Sequence, residues 1–502
     1  MIELKQLFTQ TLIYGFSSVI ARILNFFLVP LYTILFMPSE YAIIAEMYAY
    51  AALLMVIGSF GMETTFFRFT KEKWKHQDST QSLKKVFSSA FIFLLLNAII
   101  LMLTGLVFYK DISILINHPN HPEYVLYFIF IICFDLVSVI PFALLREKNQ
   151  PIKFALIKTI NIIINIFFNL FFLLFCPYLF KEGVLPKLIT IIYKADISVG
   201  YVFISNLIAS VFTLFLLFSL IRKHITKPDY RVFKKMIHYA WPILIAGLAF
   251  IINETVDKIL IKYLLPKGIA MRELGIYSAC YKLTIFMTLF VQAYRFAAEP
   301  FFFHQFKKPN PKKIYALMMD AFVLFSSLVF LFVVLYLDVI KLIIPNQLYH
   351  EGIVIVPIVL MANIFLGIYY NLSVWYKVTN QTKYAAIISG IGALITIGLN
   401  TLLIPRHGYV GAAWTTLICY FSMSVISLYL GRNSFKINYN IRGALKCFFI
   451  VFMFLFLSIQ FDTSLYKNIQ IDNTIIFVLY LIFIYRHIKK LITQQKHENL
   501  TI

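Results

Sequence analysis

Runs of twenty or more apolar residues alternate with short polar stretches along the whole chain. A helical run of that length matches the roughly 30 Å hydrocarbon layer of a bilayer at about 1.5 Å per residue, so each run predicts a membrane-spanning helix. The polar breaks place fourteen helices, roughly at 10 to 36, 41 to 68, 85 to 109, 124 to 145, 152 to 177, 199 to 221, 236 to 265, 274 to 303, 314 to 337, 353 to 376, 384 to 404, 408 to 430, 443 to 461 and 473 to 485. The predicted fold class is an all-α polytopic membrane protein. The first span follows "MIELKQLFTQ" without a small-residue cleavage site and reads as a retained helix, not a signal peptide.

The polar breaks repeat themselves. "NQPIKFA" (149 to 155), between helices 4 and 5, returns with one residue deleted as "NQTKYAA" (380 to 386), between helices 10 and 11. Two further echoes keep the same phase: "EYAIIAEMY" opens helix 2 and "ELGIYSACY" helix 8, while "VGYVFISNLI" opens helix 6 and "VGAAWTTLI" helix 12. A shift of six helices is even, so both copies enter from the same side and form parallel repeats about an axis along the membrane normal. The expected organisation is a lobe of helices 1 to 6 (residues 1–225), a lobe of helices 7 to 12 (226–435), and helices 13 and 14 with a basic tail (436–502).

Composition agrees: 61% of the 502 residues are hydrophobic and 14% charged. The net charge of +22 would point to nucleic acid in a soluble domain, but in a membrane protein Lys and Arg first report orientation. With both termini on one side, thirty cations fall on that side and ten on the other, which predicts cytoplasmic termini and no nucleic-acid partner. Cys133, Cys176, Cys280, Cys419 and Cys447 lie in or beside apolar runs without CxxC spacing and read as small core residues.

Some charges fall within the helices. The cations are Arg22, Arg68, Lys258, Lys282 and Arg295; the acids are Glu46, Glu63, Asp135, Glu254, Asp257, Glu299 and Asp320. Twelve such groups facing lipid would cost on the order of 30 kcal/mol, so most must face a polar interior or one another. Glu254 with Lys258 and Arg295 with Glu299 have i,i+4 spacing and read as local ion pairs. Arg68 and Asp320 lie near helix ends, within reach of water. Arg22, in "SSVIARILNFF", and Lys282, in "CYKLTIF", have no such neighbour and are expected to line a cavity, and Asp135 on helix 4 mirrors them with opposite sign. Pro30 and Pro242, in corresponding helices, and Gly58 and Gly61 permit bending.

Reactive motifs are missing. The chain has no GxxxxGK[ST] loop, no HExxH and no paired CxxC, so it carries no signal for ATP hydrolysis or a metal centre. His118 and His121, in "NHPNHPEY", read as solvated loop residues. The outer turns are too short for a catalytic domain. No enzyme activity and no cofactor are expected, beyond coupling to H+ or Na+; a transporter remains.

"SSVIARILNFFLVPLYT", "EYAIIAEMYAY" with "GMETTFFRF", and "REKNQPIKFA" resemble the polysaccharide and O-antigen flippases of the multidrug/oligosaccharidyl-lipid/polysaccharide exporter superfamily. The likeness spans the chain and is strongest over the first 160 residues. It implies two six-helix lobes in a V shape, as in multidrug exporters of that superfamily, with two extra helices and alternating access. It also implies the cargo: a polyprenyl-diphosphate-linked oligosaccharide turned from the cytoplasmic to the outer leaflet of a bacterial inner membrane. By that resemblance Arg22, and less closely Arg68, are headgroup cations. Lys282 joins them on the burial argument alone. Glu63, Asp135 and Asp257 are candidate coupling acids, and Tyr48 and Tyr281 are paired aromatic candidates for stacking on sugars, although ordinary packing explains both. Expected partners are membrane lipid and a polysaccharide polymerase or glycosyltransferase. A multidrug exporter and a peptidoglycan-precursor flippase are the alternatives.

Overall fold

The computed structural model describes residues 19–20, 22–70, 79–183, 189, 191–306, 310–379, 381–461 and 471–500, and every regular element among them is helical. The spans are α1 (Arg22–Leu35), α2 (Pro38–Thr70), α3 (Ser79–Leu115), α4 (Glu123–Glu147), α5 (Pro151–Lys181), α6 (Gly200–His224) and α7 (Tyr230–Leu264). They continue as α8, in two pieces (Lys267–Lys282 and Ile285–Phe306), α9 (Pro311–Leu335) and α10 (Gln347–Val378). The 52-residue stretch Lys383–Ser434 is two helices, α11 and α12, divided at Gly408, and α13 (Ile441–Phe461) and α14 (Ile471–Leu500) complete the chain.

Among the described residues ten helices are long and apolar enough to cross a membrane, or eleven if the bent α8 pair is one span; Arg22–Leu35 and Asn473–Arg486 are shorter apolar helices. The all-α polytopic class holds, and the count of fourteen is approximate for a physical reason. A kink inside an apolar run does not interrupt hydrophobicity. At Gly408 (φ 55°, ψ −142°) the chain adopts a conformation that only glycine takes without strain.

Two compact units divide the chain. The first holds Met1–Ser278 and Ser389–Tyr409, the second Ala279–Ile388 and Val410–Ile502. In the first, α4 packs on α3 and α6, α5 on α6, and α7 along α2 and α3. In the second, α9 is the central helix, packed on the second piece of α8 and on α10, α13 and α14.

The repeated polar phrase has a local cause. At its first copy Asn149 has φ 51°, and the Gln150 N–H donates to the Leu145 carbonyl (2.9 Å), five residues back. Asn tolerates this left-handed conformation, the bond ends α4, and Pro151 at the first position of α5 needs no donor. At the second copy the Gln381 N–H donates to the Tyr376 carbonyl (2.8 Å), again five back. Asn380 lies outside the described residues. The shared phrase is a helix stop and restart.

Candidate functional site

Three polar side chains of α5, Asn161, Asn165 and Asn169, recur every four residues and so share one helix face with Lys158. On α6, Asn206, Ser210 and Thr213, four and three residues apart, likewise share one face. These faces meet their neighbours through specific bonds. Asn161 Nδ2 donates to Thr213 Oγ1 (2.8 Å), and Tyr32 of α1 donates to Asn169 Oδ1 (2.8 Å). Asn206 Nδ2 donates to the Tyr48 hydroxyl of α2 (2.8 Å), whose ring meets Phe128 edge-on. Asp135 of α4 faces Ser210 and feels the electrostatic influence of the Lys158 ammonium, which lies 4.2 Å from the centre of the Phe142 ring. Asp135, Asn161, Asn165 and Asn206 are half-buried and Lys158 is exposed, while Asn169, Ser210 and Thr213 are buried, so this polar face opens at its Lys158 end. Amides, hydroxyls and one charge pair of this kind suit a hydroxyl-rich ligand better than an apolar one.

A second cluster in the same unit is closed. Glu46 of α2 is 0% exposed, yet both its oxygens are engaged. Lys262 of α7 donates to Glu46 Oε1 and to the Ile116 carbonyl, and His118 Nε2 lies 2.9 Å from Glu46 Oε2 and 3.3 Å from the Lys262 nitrogen. Tyr50 and Tyr263 join hydroxyls beside it (2.9 Å). Two sequence expectations are corrected here. His118 is not a solvated loop residue, and Lys262, one of the ten cations assigned to the outer side, is buried. The reason is the same for both: an acid buried at Glu46 must be neutralised, and these are the basic groups within reach.

Further along α7, Asp257 is buried and accepts from the Tyr277 hydroxyl, with the Lys258 ammonium 3.6 Å away. Asn253 donates to the Ser389 carbonyl (3.2 Å) and accepts from Thr396 (3.1 Å), which ties α11 into the first unit. Glu63 pairs with Arg146, whose guanidinium also lies over the Phe67 and Phe154 rings.

Of the expected headgroup cations, Arg22 and Arg68 are exposed on α1 and at the end of α2, and Lys282 is exposed at the 54° break in α8. Arg68 takes part in no ion pair among the described residues. Tyr281, beside Lys282, is half-buried. The expected Arg295–Glu299 pair is not formed. Glu299 pairs with Lys377 of α10 (2.8 Å), and Arg295 lies over the Tyr370 ring (5.0 Å), because both partners come from a neighbouring helix. Sequence reasoning missed Lys158 and the asparagine face of α5, although the four-residue spacing in "KTINIIINIFFNL" displays it.

The comparisons with known proteins agree with this architecture. No curated protein matches the chain. Among solved structures it is similar to the lipid II flippase MurJ in an inward closed conformation, at 17% identity and TM-score 0.73, covering 95% of this chain and 99% of that one. It is also similar to an inward-facing multidrug resistance MATE family transporter of the MOP superfamily, at 10% identity and TM-score 0.64, covering 84% and 94%. A MOP superfamily transporter from Pyrococcus furiosus matches at 12% identity and TM-score 0.52, covering 85% and 94%. Residues 7–304 match the family described as polysaccharide biosynthesis protein. The chain is thus a multi-pass membrane protein with a MOP-superfamily fold, and it belongs to the polysaccharide biosynthesis protein family.

Proposed function

We propose that the protein is a flippase that carries a polyprenyl-diphosphate-linked oligosaccharide from the cytoplasmic to the outer leaflet of a bacterial inner membrane. The observation that carries this reading is the family match over residues 7–304, which ties the chain to polysaccharide biosynthesis. The fold it shares with a lipid II flippase supports the lipid-linked form of the cargo.

In this reading the two six-helix repeats (1–225 and 226–435) alternate access, with both termini cytoplasmic. Arg22, Arg68 and Lys282 replace part of the hydration that the diphosphate loses on leaving water, because charge-assisted hydrogen bonds to phosphate are strong. The open polar face of α5 and α6 meets sugar hydroxyls. Asp135, beside Lys158 and Ser210, is the leading coupling acid for H+ or Na+, since it is half-buried and has a lysine ammonium acting on it. Glu63 and Asp257 follow it. A bound ion drives transport only through different affinities in the two states. The protein moves its cargo without chemical turnover and works beside the polymerase or glycosyltransferase that handles the same lipid-linked sugar.

A second reading, transport of the peptidoglycan lipid precursor, is favoured by the likeness to the lipid II flippase. One experiment separates the two. In a deletion strain, an impermeant probe on intact and inverted vesicles reads which leaflet holds each lipid-linked saccharide, with surface polysaccharide measured in parallel. Cytoplasmic accumulation of an oligosaccharide lipid with loss of surface glycan supports the first reading. Accumulation of the peptidoglycan precursor supports the second, and normal sidedness of both with normal glycan rejects flipping.

A further inference from the structure

The expected boundary between the repeats, at residue 225, falls inside the first compact unit, which also holds α7 and α8 as far as Ser278. Within that unit α2 of the first repeat packs along α7 of the second, and the two ends of this seam differ in chemistry. Toward the cytoplasmic end, in the orientation proposed above, the seam is apolar. Phe60 meets Trp241 (ring centres 5.7 Å apart), Phe69 meets Tyr239 (6.1 Å), and Ile243 fills the space that a side chain at Gly61 would need.

The outer end is closed by charge. Glu46 of α2 pairs with Lys262 of α7, and His118 lies 2.9 Å from the second carboxylate oxygen. Lys262 also donates to the Ile116 carbonyl, and the His118 N–H donates to the Ser113 carbonyl (2.8 Å), so the α3–α4 loop is pinned as a third side. The Tyr50 and Tyr263 hydroxyls meet beside the pair (2.9 Å). A Cβ at Gly275 would overlap the Pro38 carbonyl, so the first piece of α8 lies directly against the start of α2. Four elements, two from each expected repeat, converge at one end.

The partners in this cluster all come from the protein, so it is not a cargo site. Its chemistry suits opening instead. A buried ion pair gains by attraction about what its members lose on leaving water, so the closed pair and the same groups hydrated are close in free energy. An apolar plug forfeits its burial when it opens and has no such balance. A charged closure is poised where an apolar one would be locked.

We propose that Glu46, Lys262 and His118 form a latch that shuts the outer end of the α2–α7 seam and parts, as water enters, when cargo is released outward. The latch rests on the alternating-access reading of the flippase and adds to it the residues that close one face.

The first test is Glu46→Leu with Lys262→Met, which replaces the ion pair by an apolar contact. A purely structural cluster would leave a stable protein with normal transport. A latch makes the variant stable but locked, and flipping of polyprenyl-diphosphate-linked N-acetylglucosamine in reconstituted vesicles should fall about tenfold. The second test is Tyr50→Cys with Tyr263→Cys, bridged by a bismaleimide that carries a reducible disulfide. Bridging should stop flipping and reduction should restore it, which also shows that the bridged protein is folded; either single variant should ignore the reagent. Spin labels on the same two cysteines should give two distances in vesicles that contain the saccharide lipid, and the longer one should vanish when Glu46→Leu and Lys262→Met are added.

Normal flipping by the apolar pair, or by the bridged protein, overturns the latch and leaves the flippase reading standing. Two spin-label distances in a protein that does not flip the saccharide lipid support the latch and reject that cargo. A single distance with no flipping rejects both.

Discussion

Glu46, Lys262 and His118 in the first unit and Glu299, Lys377 and Arg295 in the second contain the same ingredients: one carboxylate, one lysine and a further nitrogen base. In the first cluster every charge is absorbed. Lys262 spends donors on Glu46 and on a backbone carbonyl, His118 occupies the other oxygen, and Glu46 has no exposed surface. In the second, the acid and the lysine remain partly exposed, with side chains 44% and 30% accessible, and the third cation is left to aromatic faces. The presence of charge in a membrane protein therefore does not by itself mark a site. What separates scaffold from site is whether the protein already supplies all the partners.

The contrast is tested most severely at Lys262. Replacement by Met strands Glu46 in a buried position and should cost about 3 to 5 kcal/mol, read as a lower unfolding temperature in detergent. Adding Glu46→Leu should restore most of that loss, since an apolar pair of similar volume often replaces a buried ion pair at no cost. A harmless Lys262→Met would remove the distinction between the clusters. Arg295→Gln is the opposite case. Stability should change by about 1 kcal/mol or less, because only the contacts of a half-buried guanidinium with two rings are lost and no buried charge is stranded.

Asp135 lies between these extremes, being partnered yet accessible. Asp135→Asn should leave the protein folded, at a cost of about 1 kcal/mol or less, but should flatten the dependence of transport on the H+ or Na+ gradient. An unchanged gradient dependence would remove Asp135 from coupling. The smallest effect belongs to Glu63→Gln. Its pair with Arg146 is well exposed, with side chains 34% and 40% accessible, and Arg146 keeps its contacts with Phe67 and Phe154, so the loss should stay below about 1 kcal/mol in a thermal melt.

How much of this was legible follows from which interactions are local. Apolar runs gave the spans because desolvation of the backbone depends on the run itself. The repeated phrase could be read because the bonds of Gln150 and Gln381 reach only five residues back. Arg295 and Glu299 were misread by the same logic, since i,i+4 spacing offers a local partner but does not show that Lys377 and Tyr370 lie closer on a packed neighbour. Lys262 and His118 were missed because each depends on Glu46, more than seventy residues away. The amide face of α5 was within reach of periodicity alone, but its meaning depended on α6 and α1 packing against it.

The five cysteines are all buried and free. An impermeant maleimide applied to cells should therefore meet a nearly silent wild-type background, and no native thiol has to be removed first. Single replacements such as Lys223→Cys and Asp338→Cys, both at accessible positions, would then report from opposite faces of the bilayer in the expected orientation. The tight packing of these small side chains leaves the protein ready for labelling as it stands.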